Sequence, residues 1–220
     1  MQLMVALAPI QREIGIDRLV VSTYQSVSGT GQKAIDELNE QSRAILDGRS
    51  PEASVYPHPI AFNVLPHVET FKDGDDYTTE ERKMMAETRK ILGASEDELG
   101  ISATCVRVPV FVGHSESVNV QTREPLSPEA CRKLLAAATG VEVVDAPGEG
   151  SYPLAADVAG RDEVLVGRIR RDPSHERCLN LWVVGDNLRK GAATNAVQVA
   201  ELLAERDLVR VPAGSTSFAA

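Results

Sequence analysis

The sequence predicts an α+β domain with a mixed or mostly antiparallel sheet and helices on one face. Two strand-like stretches, residues 163–170 and 179–184, follow each other directly, which favours an antiparallel hairpin over strict alternation of strands and helices. Segments with helical spacing of apolar residues separate the other strand candidates. With 43% hydrophobic and 25% charged residues, the 220-residue chain is typical of a globular protein, and a disordered, collagen-like or coiled-coil chain is excluded.

The first predicted helix begins at the very start of the chain. Leu3, Met4, Leu7 and Ala8 have helical spacing, but no Ser, Thr, Asp or Asn precedes them to cap the free N–H groups. Two explanations stay open: a frayed terminus, or a helix whose first residues lie upstream of Met1.

A strand, a helix and a long connection are predicted next. Residues 17–29 predict a strand that enters a Ser/Gly turn, and residues 32–46 predict an amphipathic helix. The connection at 47–67 is rich in proline. A connection of this length in a compact domain is usually functional or wraps a neighbouring surface.

The second half of the chain has clearer boundaries. Thr78 and Glu81 have capping-box spacing, which predicts a helix through Leu92. Residues 101–122 predict a long β segment that is broken or bent at Pro109 and Gly113. The remaining predicted elements are a helix that begins at Ser127 and Pro128, strands at 141–145, 162–172 and 178–186, a final helix at about 187–206, and a tail at 207–220.

Charge and cysteine content limit the partners and the location. The 23 basic and 32 acidic residues give a net charge of −9, and no stretch concentrates enough Lys and Arg to bind nucleic acid. No apolar window is long enough to span a membrane. The three cysteines are widely spaced, with no CxxC pair and no His at metal-ligand spacing, which argues against a disulfide scaffold or a metal site and for a reducing, cytoplasmic compartment.

A glycine-rich turn follows the first strand. Gly29, Gly31 and Ala34 match the GxGxxA pattern of dinucleotide-binding turns. A complete unit also needs a second parallel strand that ends in an acidic residue, but here the helix leads into the proline-rich connection. A complete Rossmann unit is therefore not expected, although free backbone N–H groups could face an anionic or polar ligand.

Arg107 and His114 are out of place in an apolar β segment. An arginine there could clamp a carboxylate, and a histidine beside Gly113 could act as general acid or base, although a structural role for a lone histidine is the commoner case. Their separation is odd, so on a flat strand they would face opposite sides. They can converge only if the chain bulges or turns at Pro109 or Gly113.

Two further features are explained by ordinary structural roles. Cys105 could be a nucleophile, but its apolar surroundings favour a buried, inert thiol. Glu80 and Lys83 share a helix face at i and i+3, which by default is a solvated ion pair.

Taken together, several strings carry a family resemblance. YQSVSG, SATCVRVPVFVGHSESV, VGRIRRD and DNLRKGAA resemble, in that order, the C-terminal half of bacterial aspartate-semialdehyde dehydrogenases. The resemblance extends from residue 1 to about 206. It implies a domain of the glyceraldehyde-3-phosphate dehydrogenase C-terminal type, a homodimer formed through that domain, and NADP as the cofactor of an N-terminal Rossmann domain.

The resemblance also implies a reaction and the residues that bind substrate. The family converts L-aspartyl 4-phosphate to L-aspartate 4-semialdehyde and phosphate with NADPH, in the biosynthesis of lysine, threonine, methionine and diaminopimelate. By resemblance, Gln25 orients the substrate, Glu80 helps to hold it and Lys83 binds phosphate. Arg107 grips the α-carboxylate, and His114 is the general acid/base.

The same resemblance implies which residues contact the cofactor and where the domains begin and end. Ser28 and Gly29 match positions that touch the nicotinamide nucleotide, and Asn187 matches an asparagine that contacts the cofactor. Residues 1–186 would form the substrate-binding and dimerisation domain. The helix at 187–206 would pack on the NADP-binding domain, which this chain lacks.

One departure from the family is large. The family's nucleophilic cysteine would fall just upstream of Met1, and Cys105 matches a position without a catalytic role. We therefore expect the chain alone to lack dehydrogenase activity. Two alternatives stay open: a non-catalytic dimerisation or binding module derived from the family, and a relative of N-acetyl-glutamyl-phosphate reductase, against which GHSESV and RIRRD argue.

Overall fold

A six-stranded sheet organises the computed structural model, which describes residues 1–209. Across the sheet the strand order is β2-β1-β3-β6-β5-β4. The pairs β1–β2 and β4–β5 are parallel, and the other three neighbouring pairs are antiparallel. In chain order the strands are β1 (Ile16–Gln25), β2 (Gly100–Arg107), β3 (His114–Thr122), β4 (Val141–Val143), β5 (Val164–Arg171) and β6 (Cys178–Gly185). The predicted mixed sheet and the antiparallel β5–β6 pair are confirmed.

Three of the longer helices cover one face of this sheet. Leu7 and Ile10 of the first helix are completely buried against Leu19, Leu181 and other strand residues. Burying side chains of this size stabilises the fold by roughly 1.5–3 kcal/mol each. The helices of the chain are α1 (Gln2–Glu13), α2 (Gln32–Leu46), α3 (Thr79–Leu92), α4 (Pro128–Ala136), α5 (Ala155–Val158) and α6 (Thr194–Glu205), of which α1, α3 and α4 cover this face.

In the part of the chain that the structure describes, the opposite face of the sheet is covered only at one end. The short helix α5 packs there, where Val158 joins Leu165 and Val184 in a small cluster. The Trp182 indole also lies on this face and donates a hydrogen bond to the Pro153 carbonyl at 3.1 Å. The prediction of helices on one face therefore holds for the main helical layer, and the other face stays largely open.

Helices α3 and α4 begin with the capping residues that the sequence predicts. Thr78 and Glu81 form a complete capping box at the start of α3, and the Ser127 hydroxyl accepts the Ala130 N–H at 3.1 Å at the start of α4. No side-chain hydrogen bond caps α1 at Met1.

The predicted β segment at 101–122 is two strands on opposite sides of β1. The chain leaves β2 at Arg107, turns, and re-enters the sheet as β3 at His114. Gly113 has a φ of 95°, and a Cβ there would lie 2.8 Å from the Ala155 carbonyl oxygen, so only glycine fits the turn.

Helix α2 and the long connection form a second, smaller core. Leu38 of α2 packs with Val27, Ile60 and Leu65. The connection therefore wraps α2, as its length predicts, and continues to the cap of α3 at Thr78.

The last helix starts later than predicted. The chain passes Asn187 in a turn, because the buried Asp186 carboxylate accepts the Leu188 and Arg189 N–H groups at 2.8 and 3.1 Å. A π-helical turn then precedes α6. No residue of α6 is buried, and residues 210–220 of the predicted tail lie outside the described residues. Within the described part of the chain, no helix is long and apolar enough to cross a membrane.

Candidate active site

The ends of three adjacent strands meet at one cleft. Gln25 ends β1, Arg107 ends the parallel strand β2 as its register partner, and His114 begins β3. The cleft has a volume of about 550 Å³, typical of a small-molecule site. Of the residues assigned by resemblance, the cleft is lined by Gln25, Gly29, Glu80, Lys83, Arg107 and His114.

Arg107 is a buried cation that points into this cleft. Its Nη1 donates to the Ser26 carbonyl at 2.7 Å, while its Nε is buried and has no hydrogen-bond partner among the described residues. Among residues 1–209 it forms no salt bridge. Burial lowers the pKa of its guanidinium. A buried charge without a counter-ion is costly, so the site favours an anionic ligand.

His114 is held as a neutral imidazole. Its Nδ1 accepts the Ser26 N–H at 3.1 Å, which leaves the proton of the neutral ring on Nε2. Burial lowers the pKa of His114 to about 3, and the charges of Arg107 and the Met1 amine act in the same direction. The chain turns between Arg107 and His114, so both side chains line the same cleft, although on one flat strand they would face opposite sides.

Glu80 joins two other predicted residues. Its Oε1 accepts from Gln25 Nε2 at 3.4 Å, and its Oε2 lies 3.3 Å from Lys83 Nζ. The Glu80 carboxylate raises the pKa of Lys83, so the ammonium stays charged at neutral pH. The Lys83 side chain is about half exposed, at 54%, and can therefore reach a ligand in the cleft.

Gly29 leaves the centre of the cleft open. A Cβ at this position would lie 3.4 Å from both Arg107 Nη1 and His114 Nε2. Any side chain would thus occupy the space between the cationic group and the imidazole.

Ser28 and Asn187 form a network beside the cleft. Ser28 is buried, and its Oγ accepts from Asn187 Nδ2 at 2.9 Å. The Asn187 Oδ1 accepts from the Ser26 hydroxyl at 3.0 Å and from the Gly113 N–H at 2.9 Å. Asn187 lines an adjoining cavity of about 250 Å³ together with His114, whereas Ser28 lines neither this cavity nor the cleft.

Three residues of this region were not predicted from the sequence. Ser26 holds His114 in place, and Tyr56 lines the cleft with its ring 5.8 Å from the Arg107 guanidinium carbon. Glu116 is buried in the adjoining cavity, where burial raises its pKa to about 7 against the opposing charge of the Met1 amine. Strand alternation could have found Glu116, because it lies two residues after His114.

No cysteine of the chain lines the cleft. Cys105, Cys131 and Cys178 are all buried free thiols, and burial raises the pKa of Cys105 to about 12. The prediction that Cys105 is buried is confirmed. Within residues 1–209, no group of three or more His, Cys, Asp or Glu residues could hold a metal ion.

Comparison with known proteins decides the family. A family model described as semialdehyde dehydrogenase, dimerisation domain, matches residues 7–190. The chain belongs to the semialdehyde dehydrogenase family. The family resemblance that the YQSVSG and GHSESV strings suggested is therefore confirmed.

Individual members of the semialdehyde dehydrogenase family are similar over most of this chain. Aspartate-semialdehyde dehydrogenases from Aquifex aeolicus and Legionella pneumophila are each 53% identical to it, over 94% and 96% of the chain. A solved structure of aspartate semialdehyde dehydrogenase II complexed with ASA from Vibrio cholerae matches 93% of the chain at 47% identity, with a TM-score of 0.88. The chain spans only 61%, 60% and 59% of the length of these three proteins.

Proposed function

We propose that this chain is the substrate-binding and dimerisation part of an aspartate-semialdehyde dehydrogenase. The whole enzyme would convert L-aspartyl 4-phosphate to L-aspartate 4-semialdehyde and phosphate with NADPH. Two observations support the proposal. The relatives are aspartate-semialdehyde dehydrogenases, and six of the eight residues assigned by resemblance line one cleft.

The buried Arg107 cation is the observation that carries this proposal. Its guanidinium faces the cleft without a carboxylate partner in the described residues, while Gly29 keeps the space before it open. A planar guanidinium binds a carboxylate through two parallel hydrogen bonds. We assign the α-carboxylate of the substrate to this position, with Gln25 orienting the rest of the molecule.

Lys83 and Glu80 supply a second recognition group. A phosphoryl group is doubly charged near neutral pH, and the Lys83 ammonium in the same cleft provides its counter-charge. Glu80 holds Lys83 Nζ at 3.3 Å and would pair with the substrate ammonium group as well. The two ends of an aspartyl phosphate are thereby recognised by different residues.

His114 is the proton-transfer group in this proposal. Because Ser26 occupies Nδ1, its Nε2 is the nitrogen that exchanges protons with a substrate in the cleft. The depressed pKa keeps the ring neutral at physiological pH with its proton on Nε2, so His114 would act first as a hydrogen-bond donor to the substrate through Nε2–H.

The residues beside His114 fit a nicotinamide cofactor. Gly29 leaves a space that a Cβ would fill, and one Asn187 Nδ2 hydrogen has no partner within residues 1–209 after the bond to Ser28. NADP, when bound, would supply the hydride that is exchanged with the substrate. In this proposal Gly29 and Asn187 would contact it, and Ser28 would position the Asn187 amide.

We further assign two surfaces to partners. The open face of the sheet would bind a second copy of the chain in a homodimer, in keeping with the dimerisation domain that the family model describes. Helix α6, with exposed Val197, Val199, Leu202 and Leu203, would pack on the NADP-binding part of the protein. The three free thiols fit a reducing, cytoplasmic location.

Binding of L-aspartate 4-semialdehyde to the chain tests the assignment of Arg107. Arg107→Lys keeps the charge but loses the two parallel hydrogen bonds, so we expect affinity measured by calorimetry to fall about tenfold or more. Arg43→Lys on the exposed side of α2 is the matched control. Equal affinity in wild type and Arg107→Lys would contradict the proposal.

A further inference from the structure

Helix α2 turns two polar side chains toward the protein interior. Glu37 and Gln41 are only 6% and 2% exposed, and they lie one turn apart on the face that also carries Ala34 and Leu38. Burying polar groups is unfavourable unless hydrogen bonds replace their contacts with water. The partners of these two residues therefore show what the helix holds in place.

Glu37 binds one short stretch of the long connection. Its Oε2 accepts the Ser54 N–H at 2.8 Å, the Ser54 hydroxyl at 2.6 Å and the Val55 N–H at 2.6 Å. Hydrogen bonds to an ionised acceptor are about twice as strong as those between neutral groups. The backbone just before Tyr56 is thus fixed to α2 by a single carboxylate.

Gln41 holds the same connection on both sides of Tyr56. Its Nε2 donates to the Glu52 carbonyl at 2.7 Å, and its Oε1 accepts the Ile60 and Ala61 N–H groups at 2.8 and 3.1 Å. Residues 52–61 therefore form a loop whose two ends are attached to one turn of α2.

Tyr56 stands between these attachments and faces the cleft. Its ring lies 5.8 Å from the Arg107 guanidinium carbon, within reach of a cation–π contact, and its hydroxyl donates to Thr30 Oγ1 at 2.9 Å. The ring thereby shields one side of the guanidinium from water. Charge pairing strengthens where water is excluded, so a carboxylate bound to Arg107 benefits from the position of the ring.

We propose that Glu37 is a positioning residue for the carboxylate site: by holding Ser54 and Val55 it keeps the Tyr56 ring against Arg107 and so raises the affinity for a carboxylate ligand. Glu37 does not line the cleft itself and acts through Tyr56. The ligand part of this inference rests on the proposed function, in which Arg107 binds the substrate α-carboxylate.

The ionisation state of Glu37 supports this role. Burial acts to raise the pKa of the carboxyl group, but the hydrogen bonds from Ser54 and Val55 outweigh it and hold the pKa below its ordinary value. The carboxylate is therefore charged at neutral pH, where a ligand would bind.

Hydrogen exchange tests the attachment without any ligand. In Glu37→Gln, we expect the Ser54 and Val55 amides of the 220-residue chain to exchange about tenfold faster, because the charged acceptor is lost. Glu40→Gln removes the same charge from the exposed side of α2 and should exchange as wild type does. Ser54→Ala, which removes one donor at an exposed residue, gives a milder form of the change if Glu37→Gln unfolds the chain. Unchanged exchange in Glu37→Gln would overturn the proposal.

A double-mutant cycle tests the action through Tyr56. With L-aspartate 4-semialdehyde as the probe, we expect Glu37→Gln and Tyr56→Ala each to weaken binding about fivefold. The double variant should bind no more weakly than Tyr56→Ala alone, because both changes remove the same contact. Additive losses, or wild-type affinity in Glu37→Gln, would overturn the role of Glu37 in binding.

Different results would contradict the proposed function and the positioning role of Glu37. If the wild-type chain does not bind the semialdehyde, or if Arg107→Lys binds it equally well, the proposed function is contradicted. The exchange of the Ser54 and Val55 amides still decides in that case whether Glu37 holds the loop.

Discussion

His114 has a protonation state that follows from one backbone hydrogen bond and its burial. Ser26 donates to Nδ1, and His114 forms no salt bridge with a carboxylate of residues 1–209 that would stabilise a charged ring. The folded protein therefore binds the proton less readily than the unfolded chain does.

This difference predicts a pH dependence of stability. Because the folded pKa of His114 lies near 3, below the ordinary value of 6.5, its contribution to stability is complete above pH 6.5 and is lost as the pH falls toward 3. Between pH 7 and pH 5 we expect the free energy of unfolding to fall by about 2 kcal/mol through this residue.

Urea unfolding at the two pH values measures the effect. In His114→Asn, which keeps a side chain able to accept the Ser26 N–H, this part of the pH dependence should disappear. The exposed His58→Asn serves as the control and should keep it. An identical loss of stability in wild type and His114→Asn would show that the imidazole does not resist protonation.

Helix α3 is attached to the sheet by one buried carboxylate. Glu81 accepts the Thr78 N–H at 2.8 Å within the capping box, and its other oxygen accepts the Cys105 N–H of β2 at 2.9 Å. Glu80 is the residue before Glu81, and Arg107 lies two residues after Cys105. The attachment therefore sets the distance between the two sides of the cleft.

Glu81→Gln should destabilise the chain although it changes only one atom. An amide offers one acceptor oxygen in place of two, so a buried N–H group loses its partner at a cost of about 1–3 kcal/mol. For a chain of this size, this lowers the Tm by about 2–4 °C per kcal/mol. Thermal unfolding measures the change, with the exposed Glu87→Gln as the control. A Tm equal to that of the wild type would mean that the hydrogen bond between Glu81 and the Cys105 N–H does not contribute to stability.

Local signals predicted the elements well, but not how they meet. The bounds of α2 and α3 follow from helical spacing and from the capping box at Thr78. The alternation of β residues predicts faces but not neighbours, so nothing in the sequence could indicate that β1 lies between β2 and β3.

The residues of the site could likewise be predicted only in part from the sequence. Arg107 and His114 were visible as polar residues in an apolar segment, and resemblance supplied Gln25, Glu80 and Lys83. Tyr56 carries no local signal, because its contact with Arg107 spans the proline-rich connection and depends on how that connection folds over α2.

The sheet as a whole leaves one face largely uncovered by residues 1–209, and we have assigned this face to a second copy of the chain. The Tyr24 and Trp182 rings lie on this face, tilted by 47° to each other with centroids 5.4 Å apart, and Ser117 of β3 is the register partner of Trp182. A symmetric dimer would place the same face of both copies together.

Ser117→Arg tests this dimer. A long charged side chain at the centre of a self-complementary interface would be buried without a partner, so we expect the variant to be a monomer. Analytical ultracentrifugation distinguishes the two states, and Ser50→Arg in an exposed loop should leave the dimer intact. A dimer of Ser117→Arg with unchanged affinity would place the interface elsewhere.

In the proposed function, the cleft between Gln25, Arg107 and His114 binds the α-carboxylate of L-aspartate 4-semialdehyde. A crystal structure of the chain with this compound would show where the carboxylate lies. We predict that both carboxylate oxygens lie within hydrogen-bond distance of the Arg107 guanidinium and that the aldehyde carbon faces His114 Nε2. A carboxylate bound outside the cleft, with Arg107 still unpaired, would contradict it.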